Sequence, residues 1–193
     1  MPALCSGFTG TGHAGFSANL NACMIANPRT AQTLEQLFQA LQVRDLEALS
    51  ACYAEGAQFD DPLLSLKDRR HLLGMRAVMF EARGARGQDV WALSFHGMST
   101  AGNQGSARWE PRYCFAPTGR SIHHLVYSQF TFDPDGLIVA QRDSFDFWRW
   151  SRAAHGVLGL MLGWTPLMWD QARAQVEVCL GEYLADHAQA QPA

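Results

Sequence analysis

The sequence predicts an α+β domain: a curved antiparallel sheet wrapped around N-terminal helices, with an extra helix at the C-terminus. Three observations carry this. Apolar residues recur at helical spacing as far as about residue 83, the period then changes to two, and turn signals divide the second half into consecutive strands.

Leu34, Leu37, Phe38 and Leu41 give a first helix from about Thr30 to Val43. Asp45 is placed to cap a second, with Leu46, Leu49, Cys52 and Tyr53 on one stripe. A brief apolar strand follows and ends at Phe59-Asp60-Asp61-Pro62. Proline cannot donate to a sheet ladder and holds the residue before it extended, so Asp61 marks a strand end and points in a fixed direction. Ser65 and Asp68 read as a capping box for a third helix, whose stripe is Leu72, Arg76, Met79 and Phe80 or Arg83, stopped by Gly84 and Gly87. Trp91, Leu93 and Phe95 then alternate with smaller or polar residues up to a reversal at Ala101–Gly105. Trp109, Pro111, Tyr113 and Phe115 continue the alternation to a turn at Ala116–Gly119. The next strand presents Ile122, His124, Val126, Ser128, Phe130 and Phe132, and Asp133-Pro134-Asp135-Gly136 has proline and glycine where a type I turn favours them. The last strand shows Leu137, Val139, Gln141, Asp143, Phe145 and Phe147. Thr165-Pro166 opens a C-terminal helix to about Ala185 with Trp169, Ala172, Val176, Leu180 and Tyr183 buried, placed to close a pocket or support a dimer.

This divides the chain into a flexible glycine-rich tail (1–28), one domain (29–148) and an aromatic-rich helical extension (149–193). At 193 residues such a chain buries a core without staples. A net charge of −3 with no basic stripe gives no electrostatic reason to expect nucleic acid or an anionic membrane as partner. Five scattered cysteines without a C-x-x-C pair point away from disulfides and thiolate metal sites and towards a reducing compartment, the cytoplasm. The run from Gly156 to Trp164 is too short and glycine-broken to span a bilayer; an interfacial or partner-binding loop stays open for it.

The turns also set the expected register. Phe115 should pair with Arg120 and Pro111 with His124; Phe132 should pair with Leu137, Val126 with Asp143, and Gln141 should face Ser128. His124 and Asp143 then become diagonal neighbours on the buried face, within ~8 Å of each other.

The Asp-Pro pair after two short amphipathic helices resembles the nuclear transport factor 2-like superfamily, which includes ketosteroid isomerases, SnoaL-like cyclases and limonene epoxide hydrolases. The resemblance covers Thr33 to Phe147 and implies a cone-shaped, cystatin-like barrel with a pocket between sheet and helices. In the isomerases the acid of a similar pair is the catalytic base, which implies that role for Asp61. Arg142-Asp143-Ser144-Phe145-Asp146 resembles an element of the epoxide hydrolases whose first aspartate takes part in acid catalysis, which implies Asp143. Arg108-Trp109-Glu110 looks like their Arg-x-Asp, yet the register turns Trp109 and Pro111 inward and Arg108 and Glu110 outward. Leu37 and Ser128 stand where the isomerases carry their tyrosine and second acid, so the electrophilic partners of that reaction are missing.

The resulting expectation is a cofactor-free, metal-free pocket protein acting on a small apolar molecule by hydration, dehydration or isomerisation. Asp61 and Asp143 are the acid–base candidates, with His124 orienting or sharing a proton; Tyr53, Trp109, Tyr113, Ser128, Phe130 and Phe145 surround the ligand. Each polar residue also has a structural reading: Asp61 as a turn cap, Asp143 as an arginine's partner, His124 as a core histidine. The rival function is a non-catalytic ligand-binding or interaction module. Leu125, Tyr127 and Ile138 on the outer face, with the tryptophan-rich extension, lead us to expect a homodimer.

Overall fold

The computed structural model describes residues 27–84, 87–163 and 165–188. The tail expected over 1–28 lies, as far as residue 26, outside the described residues.

Helix α1 (Pro28–Val43) starts where the Asn27 side chain accepts from the Arg29 N–H, and it buries Leu34, Leu37, Phe38 and Leu41. Full burial of each such side chain is worth about 1.5–3 kcal/mol. Helix α2 (Leu46–Cys52) begins on Asp45, whose carboxylate accepts from the Ala48 N–H as the sequence requires. Strand β1 (Tyr53–Asp60) follows directly, then the two-residue β2 (Ser65–Leu66) and helix α3 (Arg69–Glu81). The α3 cap differs from the expected box. Asp68 alone caps the helix, accepting from His71 N–H, while Ser65 belongs to β2 and donates to Asp60.

Strands β3 (Ala92–Ala101), β4 (Gln104–Phe115), β5 (Arg120–His123), β6 (Val126–Phe132) and β7 (Ile138–Phe145) complete one sheet. Its order is β2-β1-β7-β6-β4-β3, with β5 on β4. All pairings are antiparallel except β1 with β7, which runs parallel and brings the Asp61 end of β1 beside β7. The curled sheet does not close, and α1 fills its concave side: Phe38 stacks on Phe95 at 5.1 Å and meets Trp109 and Phe130 edge-on at 6.1 and 6.3 Å.

The register between β4 and its neighbours is as expected. Phe115 faces Arg120, and Trp109 faces Val126 on the far side of a break at His124 and Leu125 that splits the expected single strand into β5 and β6. The β6–β7 register is displaced by two residues. Asp133 N–H bonds the Leu137 carbonyl and its side chain accepts from Leu137 N–H, lengthening the loop by one residue; a bulge beyond the Phe132–Ile138 pair adds the second. Asp143 therefore faces Ser128, not Val126, and Gln141 faces Phe130, not Ser128. A two-residue shift keeps side-chain parity, so Asp143 remains on the inner face. Ile138 does not: the bulge turns it inward to full burial, leaving Tyr127 exposed and Leu125 half-buried on the outer side.

Three helices follow β7. Helix α4 (Phe147–His155) is capped by Asp146, α5 (Val157–Leu162) is a short second arm, and α6 (Pro166–Ala188) packs on α3. Among the described residues no helix is long and apolar enough to cross a membrane. The α3–α6 contact depends on Gly74, where a Cβ would lie 3.0 Å from both Leu180 and Leu184. Gly74→Leu should overpack this seam and lower unfolding stability by about 1–3 kcal/mol, read by urea denaturation; an unchanged midpoint would show that α6 is not anchored there.

Candidate active site

Asp61 lies where β1 gives way to the Pro62 turn. Its backbone N–H bonds the Leu64 carbonyl, and its Oδ1 accepts from the N–H groups of Leu63 and Leu64, each at 2.7 Å. The turn-cap reading is thus correct for one carboxylate oxygen, while the residue also faces an internal cavity of about 90 Å³. The same turn is held from outside by Arg173 of α6, whose Nε donates to the Leu63 carbonyl at 3.0 Å.

Asp143 reaches the cavity from β7 and is almost fully buried. Its Oδ1 accepts from Ser128 Oγ at 2.5 Å and from Gln141 Nε2 at 2.8 Å. Both donors are themselves held: Trp109 Nε1 donates to Ser128 Oγ at 2.8 Å, and the Tyr53 hydroxyl donates to Gln141 Oε1 at 2.5 Å. Two hydrogen-bond chains thus run through the core and end on one carboxylate oxygen. Tyr53 and Ser128, expected against the ligand, act from behind Asp143, and Phe130 packs in the core against Phe38 and Phe132. Trp109, Tyr113 and Phe145 do line the cavity.

The other oxygen of Asp143 faces Arg76, a residue the sequence places on the α3 stripe but to which it gives no role. Arg76 is 3% exposed, and its Nη2 stands 3.7 Å from Asp143 Oδ2. That is a charge contact, too long for a hydrogen bond. Its guanidinium carbon lies 5.2 Å from the Phe59 ring and 5.6 Å from the Trp109 ring, within cation–π range. Nη2 has no hydrogen-bond partner among the described residues, and Arg76 lines the cavity. A charged residue at i+4 on an otherwise apolar stripe was the legible signal.

His124 lines the cavity too, but the diagonal contact with Asp143 is absent: the two-residue register shift carries Asp143 along the sheet away from it. Its ring packs on Phe145 at 4.9 Å and Tyr113 at 6.0 Å, and its buried Nδ1 has no partner. Burial, helped by neighbouring His123, pushes the imidazole down to about 4, so it is neutral near pH 7. Tyr113 accepts from Trp150 Nε1 at 2.9 Å, while no acceptor for its own hydroxyl proton is found among the described residues. As the expected β4 register requires, Arg108 lies over Tyr127 and Glu110 meets His123 on the outer face. Met75 and Met79 of α3 and Val176, Cys179 and Leu180 of α6 complete the apolar wall.

Burial pushes the Asp61 carboxyl from 3.8 up to about 6, against the two backbone donors; the charge of Asp143 adds to the rise and Arg76 opposes it. Burial also raises Asp143, opposed by Arg76, Gln141 and Ser128. One cation and two acids in an apolar enclosure are neutral when they hold a single proton between them.

A family model described as a SnoaL-like domain matches residues 34–141, more than half of the chain. The chain belongs to the SnoaL-like family. No curated relative matches it by sequence. Among solved structures it is similar to a SnoaL-like polyketide cyclase homologue from Jannaschia sp. CCS1 (13% identity, TM-score 0.56, covering 68% of this chain and 94% of that one). It is also similar to an LEH-like epoxide hydrolase from M. tuberculosis (17%, 0.53, 70% and 94%). These likenesses establish the fold. Arg76 lies inside the matched stretch of this SnoaL-like chain and Asp143 two residues past its end, whereas α4, α5 and α6 lie wholly beyond it.

The raised Asp61 carboxyl has a consequence for stability. The folded state holds its proton more tightly than the unfolded chain does, so the contribution of Asp61 to stability is greatest below about pH 4 and is lost as pH climbs to about 6. The ionised carboxylate then costs about 3 kcal/mol. Asp61→Asn keeps an oxygen for the two backbone donors and removes the charge. It should flatten the stability profile between pH 4 and 6 and raise stability at pH 7, measured by denaturant unfolding across that range; a variant with the wild-type slope would show that Asp61 does not titrate there.

Proposed function

We propose that the cavity takes up a small, mostly apolar molecule and that this SnoaL-like protein acts on it by cofactor-free acid–base chemistry, in a hydration, dehydration or isomerisation. The observation that carries the reading is convergence: Asp61, Arg76, His124 and Asp143 all face one apolar-walled cavity. All three reactions need a proton acceptor and a proton donor on a water-poor site. Asp61, with a carboxyl near 6 and one oxygen unengaged by the turn, is the proton-transfer residue. Asp143 is the fixed carboxylate, oriented by Ser128 and Gln141 and balanced by Arg76. The electrophilic donors absent at Leu37 and Ser128 are supplied from other positions, by Arg76 Nη2 on α3 and the Tyr113 hydroxyl on β4. Neutral His124 adds a hydrogen-bonding group at the Phe145 end.

The reading includes a homodimer. With Ile138 buried, the outer sheet face offers Tyr127 and Leu125 for it, and a monomeric mass in light scattering at micromolar concentration would remove that part.

Catalysis is tested by screening small epoxides, hydroxyketones and enones for turnover. Asp61→Asn should lower turnover by about 10²–10⁴-fold with the fold intact. If Asp61 is the base, the rate rises through about pH 6; if it is the acid, the rate falls there. Asp143→Asn is a less clean probe, because it strands a buried guanidinium at a cost of about 3–5 kcal/mol. A compound that binds wild type and Asp61→Asn equally and is never turned over would establish the non-catalytic binding module instead.

A further inference from the structure

The arm formed by α4 and α5 is built against the usual rule for a surface helix. In α5 the glycines face inward. A Cβ on Gly159 would collide with the Ser151 carbonyl of α4, one on Gly163 would collide with Ser151 Oγ, and Ser151 Oγ donates to the Gly159 carbonyl. Four side chains of α5 point out: Val157, Leu158, Leu160 and Met161 are 74%, 64%, 48% and 65% exposed. Leu167, just beyond the turn, is 70% exposed, and Trp148 of α4 is 40% exposed. An apolar helix docked through its glycines leaves its apolar side free for something outside the domain.

The local charge says what that is. From Phe147 to Trp169 the chain contains no aspartate or glutamate but has Arg149, Arg152 and His155, within a protein of net charge −3. Arg149 and Arg152 are exposed on α4, and the Arg152 guanidinium lies 4.6 Å from the Trp148 ring. Exposed Arg120 joins them from β5, its Nε donating to the Ala153 carbonyl and its guanidinium lying against Gly156. Exposed Leu, Val and Met side chains beside tryptophan and flanked by arginine match the interface of a bilayer with acidic headgroups. A second copy docked symmetrically through the same patch would instead bring the arginines of both copies together. We infer that α5 is a membrane-surface anchor: Val157, Leu158, Leu160 and Met161 enter the acyl boundary of an anionic bilayer while Arg120, Arg149 and Arg152 hold its headgroups. The net acidity of the whole chain conceals this 23-residue basic, apolar segment.

Flotation of the full chain with phosphatidylcholine vesicles, with and without phosphatidylglycerol, tests this. Binding should be about a hundredfold tighter on the anionic vesicles, three arginines contributing roughly fivefold each, and should weaken with salt. Leu158→Glu with Met161→Glu, both at exposed positions, should abolish binding to either vesicle, and Arg149→Gln with Arg152→Gln should cut the preference for phosphatidylglycerol to the roughly fivefold that Arg120 alone supplies. No binding by wild type, or undiminished binding by the Leu158/Met161 variant, overturns the inference. So does a wild type that ignores vesicles and is a dimer in light scattering while that variant is a monomer, since the occupant is then a second copy.

Discussion

The interior of this protein is organised around a buried guanidinium. A buried arginine stays charged, and an isolated buried charge costs several kcal/mol. Arg76 is tolerated because Asp143 stands 3.7 Å away and the rings of Phe59 and Trp109 offer their faces. Asp143 in turn needs donors, which come from Ser128 and Gln141, and these are fixed by Trp109 and Tyr53. One helix residue thereby dictates the polar pattern of four strands. A second acid, Asp61, is kept protonated to an unusually high pH chiefly by burial; the charge of Asp143 adds to the rise and Arg76 works against it.

Much of this was readable in the residues, for reasons that can be named. The α1 stripe and the Asp45 cap depend on neighbours three or four positions away, and both stand as read. The β4 register follows from one tight turn, and it holds even across the break at His124. The β6–β7 register fails because a bulge is a tertiary choice that two-residue periodicity does not encode. That failure also decides the site: it gives Asp143 to Ser128 and removes it from His124. Asp61, Asp143 and His124 were legible as inward-facing groups on one cavity, but their partners were not. Arg76 appeared on an apolar stripe and was treated as part of a helix pattern, although its charge in that position was the anomaly. Tyr53 and Ser128 were on the right face and do their work one layer further from the cavity.

The C-terminal segment shows a different limit. Helix α4 buries Phe147 and Trp150. The glycines of α5 read as breaks in a run for which an interfacial or partner-binding loop stayed open. In the fold they are its contact surface, which reverses the ordinary meaning of apolar periodicity by turning the large residues outward.

The placement of α6 has an implication for how such a protein changes over time. Asp61, Arg76 and His124 lie inside the stretch the family model matches and Asp143 two residues past its end on β7, whereas Val176, Cys179 and Leu180 roof the same cavity from a helix well beyond it. Polar machinery and cavity shape are therefore carried by separable stretches of chain. Substitutions in the roof can reshape the enclosed volume while every donor to Asp143 stays where it is. Arg173, which ties that roof to the Asp61 turn, is the single described hydrogen bond through which the two stretches constrain each other at the acid itself. A lineage that kept this tie could explore new ligands by drift in one helix, without renegotiating the buried charge on which the fold rests.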